Sequence, residues 1–120
     1  MSRNLRVALP LVKAVSCAGG YAAGMIRHTV LFRLHHDAGS EAEARFLASA
    51  RALADIPGVT NFEQLRVLDA DDFDYAFSMD FVDQAAYDGY NGHPDHTAFV
   101  ADRWVPEVAA FREIDYTPLG

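Results

Sequence analysis

Between positions 73 and 81 the chain alternates without a break. Phe73, Tyr75, Phe77, Met79 and Phe81 are separated by Asp74, Ala76, Ser78 and Asp80. Successive side chains of a strand point to opposite faces, so the segment presents one wall of large apolar groups and one of small or acidic groups. A helix would scatter the same rings around its circumference. The segment is therefore a strand, and its ring-bearing face covers a core or lines a cavity. Residues 26–34 repeat the pattern. Ile26, His28, Val30, Phe32 and Leu34 share one face, and Arg27, Thr29, Leu31 and Arg33 share the other. His28 thus lies among aliphatic and aromatic neighbours.

Helical signals fall between these strands. Ser40 with Glu43 three residues on is a capping box, followed by Phe46, Leu47, Ala50, Leu53 and Ala54 at helical spacing. This predicts a helix from Ser40 to about Asp55, ended by Pro57-Gly58. A second strand is expected over 60–68, and the acidic stretch 69–72 is expected to turn. Asp83 caps a short helix over 84–90. The run Asn91-Gly92-His93-Pro94 breaks it, and Pro94 suits the first turn of a further helix carrying His96, Phe99, Val100, Arg103 and Trp104. Pro106 is expected to kink or restart that helix. A last strand is expected over 113–117. The order β-α-β-β-α-β predicts an α+β, ferredoxin-like domain: a four-stranded antiparallel sheet with helices on one face. Leu31, Leu65 and Val67 lie on the opposite face, and a second copy of the chain is its simplest cover.

Size and charge narrow the function classes. At 120 residues the chain holds one domain, and a domain this small gains from association. A net charge of −7 offers no basic face for nucleic acid. The single cysteine, Cys17, cannot form an intrachain disulfide or a cysteine-rich zinc site. Charge also divides the chain: residues 1–24 carry +3 and no acid, while residues 25–120 carry −10. Residues 1–24 are therefore expected to be a disordered or processed extension, with a targeting peptide as the alternative, and 25–120 to be the folded domain. The uncharged stretch 14–26 is too short to span a bilayer, so no membrane association is expected and the location is expected to be cytoplasmic. Neither a Gly-rich phosphate loop nor a dinucleotide fingerprint is present, so nicotinamide, flavin and ATP chemistry have no support and no cofactor is expected.

Four segments together resemble the stress-responsive dimeric α/β-barrel family: Ile26-Arg27-His28-Thr29-Val30-Leu31-Phe32, Ile56-Pro57-Gly58-Val59, Tyr90-Asn91-Gly92-His93-Pro94-Asp95-His96, and Asp115-Tyr116. The resemblance spans about residues 25–117. It implies homodimers in which two sheets close into a barrel, with a cavity in each subunit between sheet and helices. Many members have no assigned activity, but a plant polyketide cyclase of the family performs a cofactor-free aldol condensation there. Its first-strand histidine matches His28, and its tyrosine–histidine acid–base pair matches Tyr90 and His96. A third-strand histidine of the cyclase aligns with Tyr75 and a first-helix tyrosine with about Ser49, departures that argue against the same substrate.

On this basis the candidate catalytic residues are His96 as base, Tyr90 as its partner and His28 as a polarising group. Val30, Phe32, Ser49, Tyr75, Phe77, Met79, His93 and Phe99 are the candidate pocket walls. Tyr90 Oη and His96 are expected within direct or one-water hydrogen-bonding reach. Each site has a structural alternative: His96 capping the helix start or bonding a backbone carbonyl with Tyr90 packed over it, His28 as a satisfied core histidine, Trp104 as a core or interface anchor. His93 and His96 have a spacing compatible with a metal, but no third ligand accompanies them, so no metal site is expected. His35 and His36 are expected to be solvated. The resulting expectation is a homodimer that binds a small apolar, aromatic or polyketide-like molecule, with cofactor-free cyclase or aldol-type chemistry. Two alternatives stand beside it: a non-catalytic stress-associated binding or structural dimer, and a cofactor-free monooxygenase or haem-handling relative.

Overall fold

The computed structural model describes residues 24–69 and 72–119. The expectations for residues 1–24, Cys17 included, lie outside the described residues up to Gly24. The elements run β1 (Ile26–Leu34), α1 (Glu41–Ala50), a 3-10 turn (Arg51–Asp55), β2 (Thr60–Arg66), β3 (Tyr75–Phe81), α2 (Gln84–Gly92), α3 (Pro94–Phe99), a π-helical segment (Val100–Trp104), a closing helical turn (Val105–Glu107) and β4 (Val108–Tyr116). The four strands form one sheet in the order β2-β3-β1-β4, antiparallel throughout. This is the ferredoxin-like arrangement expected from the sequence.

Register decides what meets what. Opposite β1, Val30 faces Phe77 of β3 and Glu113 of β4, and His28 faces Met79 and Asp115. The even-numbered residues of β1 and the odd-numbered residues of β3 and β4 therefore share the helix-covered face. The core lies on that face and is built from rings. Phe32, fully buried, touches Phe46, Tyr75, Phe77 and Trp104 at centroid distances of 5.8, 5.7, 4.7 and 5.0 Å. On the opposite face Leu65 and Tyr116 stay exposed around a hollow of about 460 Å³ that Thr29 and Ser78 also line. The carboxylate of Asp80 is buried there and accepts bonds from Arg27 Nε and Asn61 Nδ2, both at 2.9 Å. Burial pushes this carboxyl up, but those two bonds and the Arg27 charge outweigh it and hold it below the ordinary range.

Several boundaries differ from the sequence expectation. Half of the capping box forms: Ser40 Oγ accepts from Glu43 N, but the Glu43 carboxylate accepts from Gly39 N rather than Ser40 N, which donates to the Asp37 carbonyl. The helix it starts, however, tightens to 3-10 geometry after Ala50. β3 begins at Tyr75, so Phe73 lies in the preceding turn, where the Arg112 guanidinium stacks over its ring at 5.4 Å. β4 is the largest difference, starting at Val108 rather than 113. Val-Ala-Ala-Phe carries no clear alternation, but pairing with β1 from Leu34 to Phe32 draws it into the sheet. His36 is also not free in solvent: its Nε2 lies 2.7 Å from Glu107 Oε1, and Arg103 Nε donates to the other oxygen of the same carboxylate at 2.5 Å.

Candidate functional site

Between the sheet and the helices lies a cavity of about 330 Å³. The sheet supplies His28 and Val30 from β1, Phe77 and Met79 from β3, and Phe111 and Glu113 from β4. The helical layer supplies Tyr90 from α2, His96 and Phe99 from α3, and Val100 and Trp104 from the π-helical segment, with Leu53 and Val105 completing the wall. The volume and the apolar lining with a few polar groups are those of a small-molecule site.

His28 is held by two elements besides its own strand. Its Nδ1 lies 2.6 Å from Oδ1 of Asp115, its cross-strand partner on β4. Tyr87 of α2 donates its hydroxyl to Asp115 Oδ2 at 3.0 Å and stands 3.0 Å from the same Nδ1. A carboxylate only accepts, so Nδ1 carries the proton and fixes the ring. His28 Nε2 makes no hydrogen bond among the described residues, and no buried polar atom there is left unsatisfied, so this nitrogen is open to the cavity it lines. The same reasoning opens Tyr90 Oη to the cavity, since the phenol is buried yet has no partner.

The break at Gly92-His93-Pro94 brings His96 back over Tyr90. α2 ends at Gly92, and His93 is the residue shared between the two helices, its Nδ1 accepting from Asp95 N at 3.0 Å. The rings of Tyr90 and His96 meet at 4.3 Å between centroids, with no direct hydrogen bond between them. His96 Nδ1 donates to the Asn91 carbonyl at 3.2 Å, so in the neutral ring the lone pair sits on Nε2. Burial and then the nearby His28 lower the His96 pKa from its ordinary value, partly opposed by the Asn91 carbonyl and Glu113. Burial, with the Glu113 charge, pushes the Tyr90 phenol far up, so it keeps its proton and remains a donor.

The cavity therefore joins His28, Tyr90 and His96, together with Val30, Phe77, Met79 and Phe99 of the expected walls. Four other candidates lie elsewhere. Phe32 is sealed in the core. Ser49 Oγ donates to the Phe46 carbonyl at 2.8 Å. The Tyr75 hydroxyl is bound to the Glu43 carboxylate. His93 caps a helix instead of lining the cavity. Sequence reasoning did not assign the polar side chains Tyr87, Asp115 and Glu113 to the site, nor the apolar Trp104, Phe111, Leu53, Val100 and Val105. Tyr87 precedes Tyr90 by three residues and so shares its helix face, a readable signal. Phe111 was missed because β4 begins at Val108, whereas Glu113 and Asp115 fall inside the strand expected over 113–117 and needed its register against β1 to be placed. Among the described residues, no group of three or more histidine, cysteine or acidic side chains could hold a metal ion.

A single ferredoxin-like α+β domain with a histidine- and tyrosine-bearing cavity between sheet and helices is the class that fold and site define. The chain belongs to the stress responsive A/B barrel domain (Dabb) family, which it matches over residues 26–118. A Dabb family protein of ferredoxin-like fold from Mesorhizobium loti is 61% identical, with a TM-score of 0.79 over 81% of this chain and 99% of that one. A dimeric ferredoxin-like protein from Thermobifida fusca is 27% identical, with a TM-score of 0.67 over 82% of this chain and 96% of that one. Hydroxynitrile lyase from Passiflora edulis shares the fold at 18% identity, with a TM-score of 0.70 over 79% of this chain and 94% of that one. No match is found among curated proteins. No helix among the described residues is long and apolar enough to cross a membrane.

Proposed function

We propose that the protein is a cytoplasmic homodimer whose cavity binds a small apolar, aromatic or polyketide-like molecule and carries out cofactor-free acid–base chemistry of cyclase or aldol type. The observation that carries this reading is the convergence of His28, Tyr90 and His96 on one largely apolar cavity. His96, kept neutral by burial, takes a proton from a carbon beside a carbonyl through Nε2. The C–H electron pair becomes an enolate, and the Tyr90 hydroxyl donates a hydrogen bond to its oxygen. The enolate carbon then attacks a second carbonyl of the same molecule, and the proton on His96 returns to the resulting alkoxide. Asp115 holds the His28 ring through Nδ1, so Nε2 faces the cavity from the side where His28 serves as the polarising group for the second carbonyl.

Dimerisation is supported by the exposed apolar groups of the outer sheet face and by the dimeric relative from Thermobifida fusca. An interface of roughly 1,500 Å² is expected, the size of stable associations. The chemistry is tested without knowing the natural substrate. An aromatic β-diketone in D₂O reports proton abstraction by its rate of deuterium uptake, followed by NMR. The wild type should exceed the buffer rate, and His96→Ala should lose roughly 100-fold or more of the excess. A wild type that binds the diketone but adds nothing to the buffer rate would replace this reading with a non-catalytic binding dimer.

A further inference from the structure

The polar groups of the cavity are unequal in charge. Among its described lining residues there is no arginine or lysine, and the one carboxylate is Glu113. Glu113 is exposed at the rim and makes no hydrogen bond or salt bridge within the described chain. Arginines nearby are directed elsewhere: Arg112 stacks on Phe73, and Arg103 is held by Glu107. β4 places Glu113 two residues from Phe111, whose ring meets Trp104 edge-on at 5.6 Å. A carboxylate without a counter-charge beside electron-rich rings favours a positive or hydrogen-bond-donating group and repels an anion.

We propose that Glu113 makes the cavity selective by charge, admitting a small aromatic molecule that carries an ammonium or comparable hydrogen-bond donor and rejecting the corresponding carboxylate. The inference rests on reading the cavity as the ligand site and adds the class of ligand it takes. The ring of such a ligand packs against Phe77, Phe99 and Trp104, and its donor group reaches outward to Glu113. Glu113 is the one carboxylate among the described lining residues, so a ligand carboxylate reaching the Glu113 end of the cavity would meet repulsion there, away from the Tyr90 hydroxyl deeper in the site. The basic groups able to offset that repulsion inside the cavity are the two histidines, one already paired with Asp115.

Trp104 is the only tryptophan of the chain, so its fluorescence reports on this cavity. Titrations with 2-phenylethylamine, 2-phenylethanol and phenylacetate compare one ring bearing three end groups. The amine should bind about tenfold or more tightly than the carboxylate, the scale of a solvent-screened charge contact. The alcohol should lie between them. Glu113→Gln keeps the shape and should bring amine and carboxylate to within about threefold of each other, while leaving the alcohol nearly unchanged. Equal affinities in the wild type, tighter carboxylate binding, or a preference that survives Glu113→Gln would overturn the assignment and leave the cavity standing as a ligand site. If no probe alters Trp104 emission, the cavity reading itself fails, and the selectivity with it.

Discussion

Replacing His96 with alanine separates its chemical role from its structural one. The structure gives this ring two stabilising contacts: the 3.2 Å bond from Nδ1 to the Asn91 carbonyl and the 4.3 Å approach to Tyr90. A net hydrogen bond contributes about 0.5–1.5 kcal/mol and a tilted aromatic pair a similar amount, and both fall toward the low end because His96 is only half-buried. His96→Ala should therefore cost roughly 1–2 kcal/mol at pH 8, a fall in Tm of roughly 5–15 °C for a domain of this size. The cost depends on pH with a definite sign. Burial depresses the folded-state pKa of His96 below the ordinary 6.5, so the unfolded chain binds the proton more readily. The stability due to keeping the ring neutral is complete above that value and is lost as the pH falls toward the depressed pKa. Urea unfolding of wild type and variant at pH 8 and pH 5 measures the difference, which should shrink in acid. An equal or larger difference at pH 5 would refute burial as the cause of the shift.

Three further outcomes follow from the packing. Phe32→Ala empties the centre of a five-ring cluster and should destabilise by about 3–5 kcal/mol in urea unfolding, the usual cost of deleting a buried phenylalanine. Leu65→Glu places a charge on the outer sheet face, 44% exposed in the single chain, and should shift sedimentation from dimer to monomer while leaving the helix-face core intact. The chain begun at Met25 should keep the melting temperature of the full chain to within a few degrees, because the family match starts at residue 26; failure to fold would move the domain boundary.

The sheet was legible because its two central strands carry unmixed alternation. Ile26–Leu34 and the β3 stripe each announce a face, and that alone predicts the sheet and the burial of Phe32, Phe77 and Phe81. Helix starts were legible where a side chain caps them, at Ser40 and Asp83. β4 was not, because residues 108–111 hold no local preference and become a strand only through pairing with β1. That boundary hid Phe111 from the site, while Glu113 and Asp115 lay within the expected strand and lacked only the cross-strand register that sets them opposite Val30 and His28. His28 stood out as a histidine on an apolar strand face, but its grouping with Tyr90 and His96 came from the family resemblance, with the Gly92-His93-Pro94 break making it geometrically possible. The carboxylate that orients His28 is a cross-strand neighbour 87 positions away, and no local pattern reveals it.

The central claim is that one cavity gathers His28, Tyr90 and His96 around a small aromatic ligand. NMR titration of the protein with the aromatic β-diketone tests it directly, read at the imidazole, phenol and indole resonances of these residues and Trp104. The account predicts that all four shift together, with a common dissociation constant, while Thr29, Leu65 and Tyr116 around the outer-face hollow do not. Shifts confined to that outer hollow, with the histidines unmoved, would contradict it.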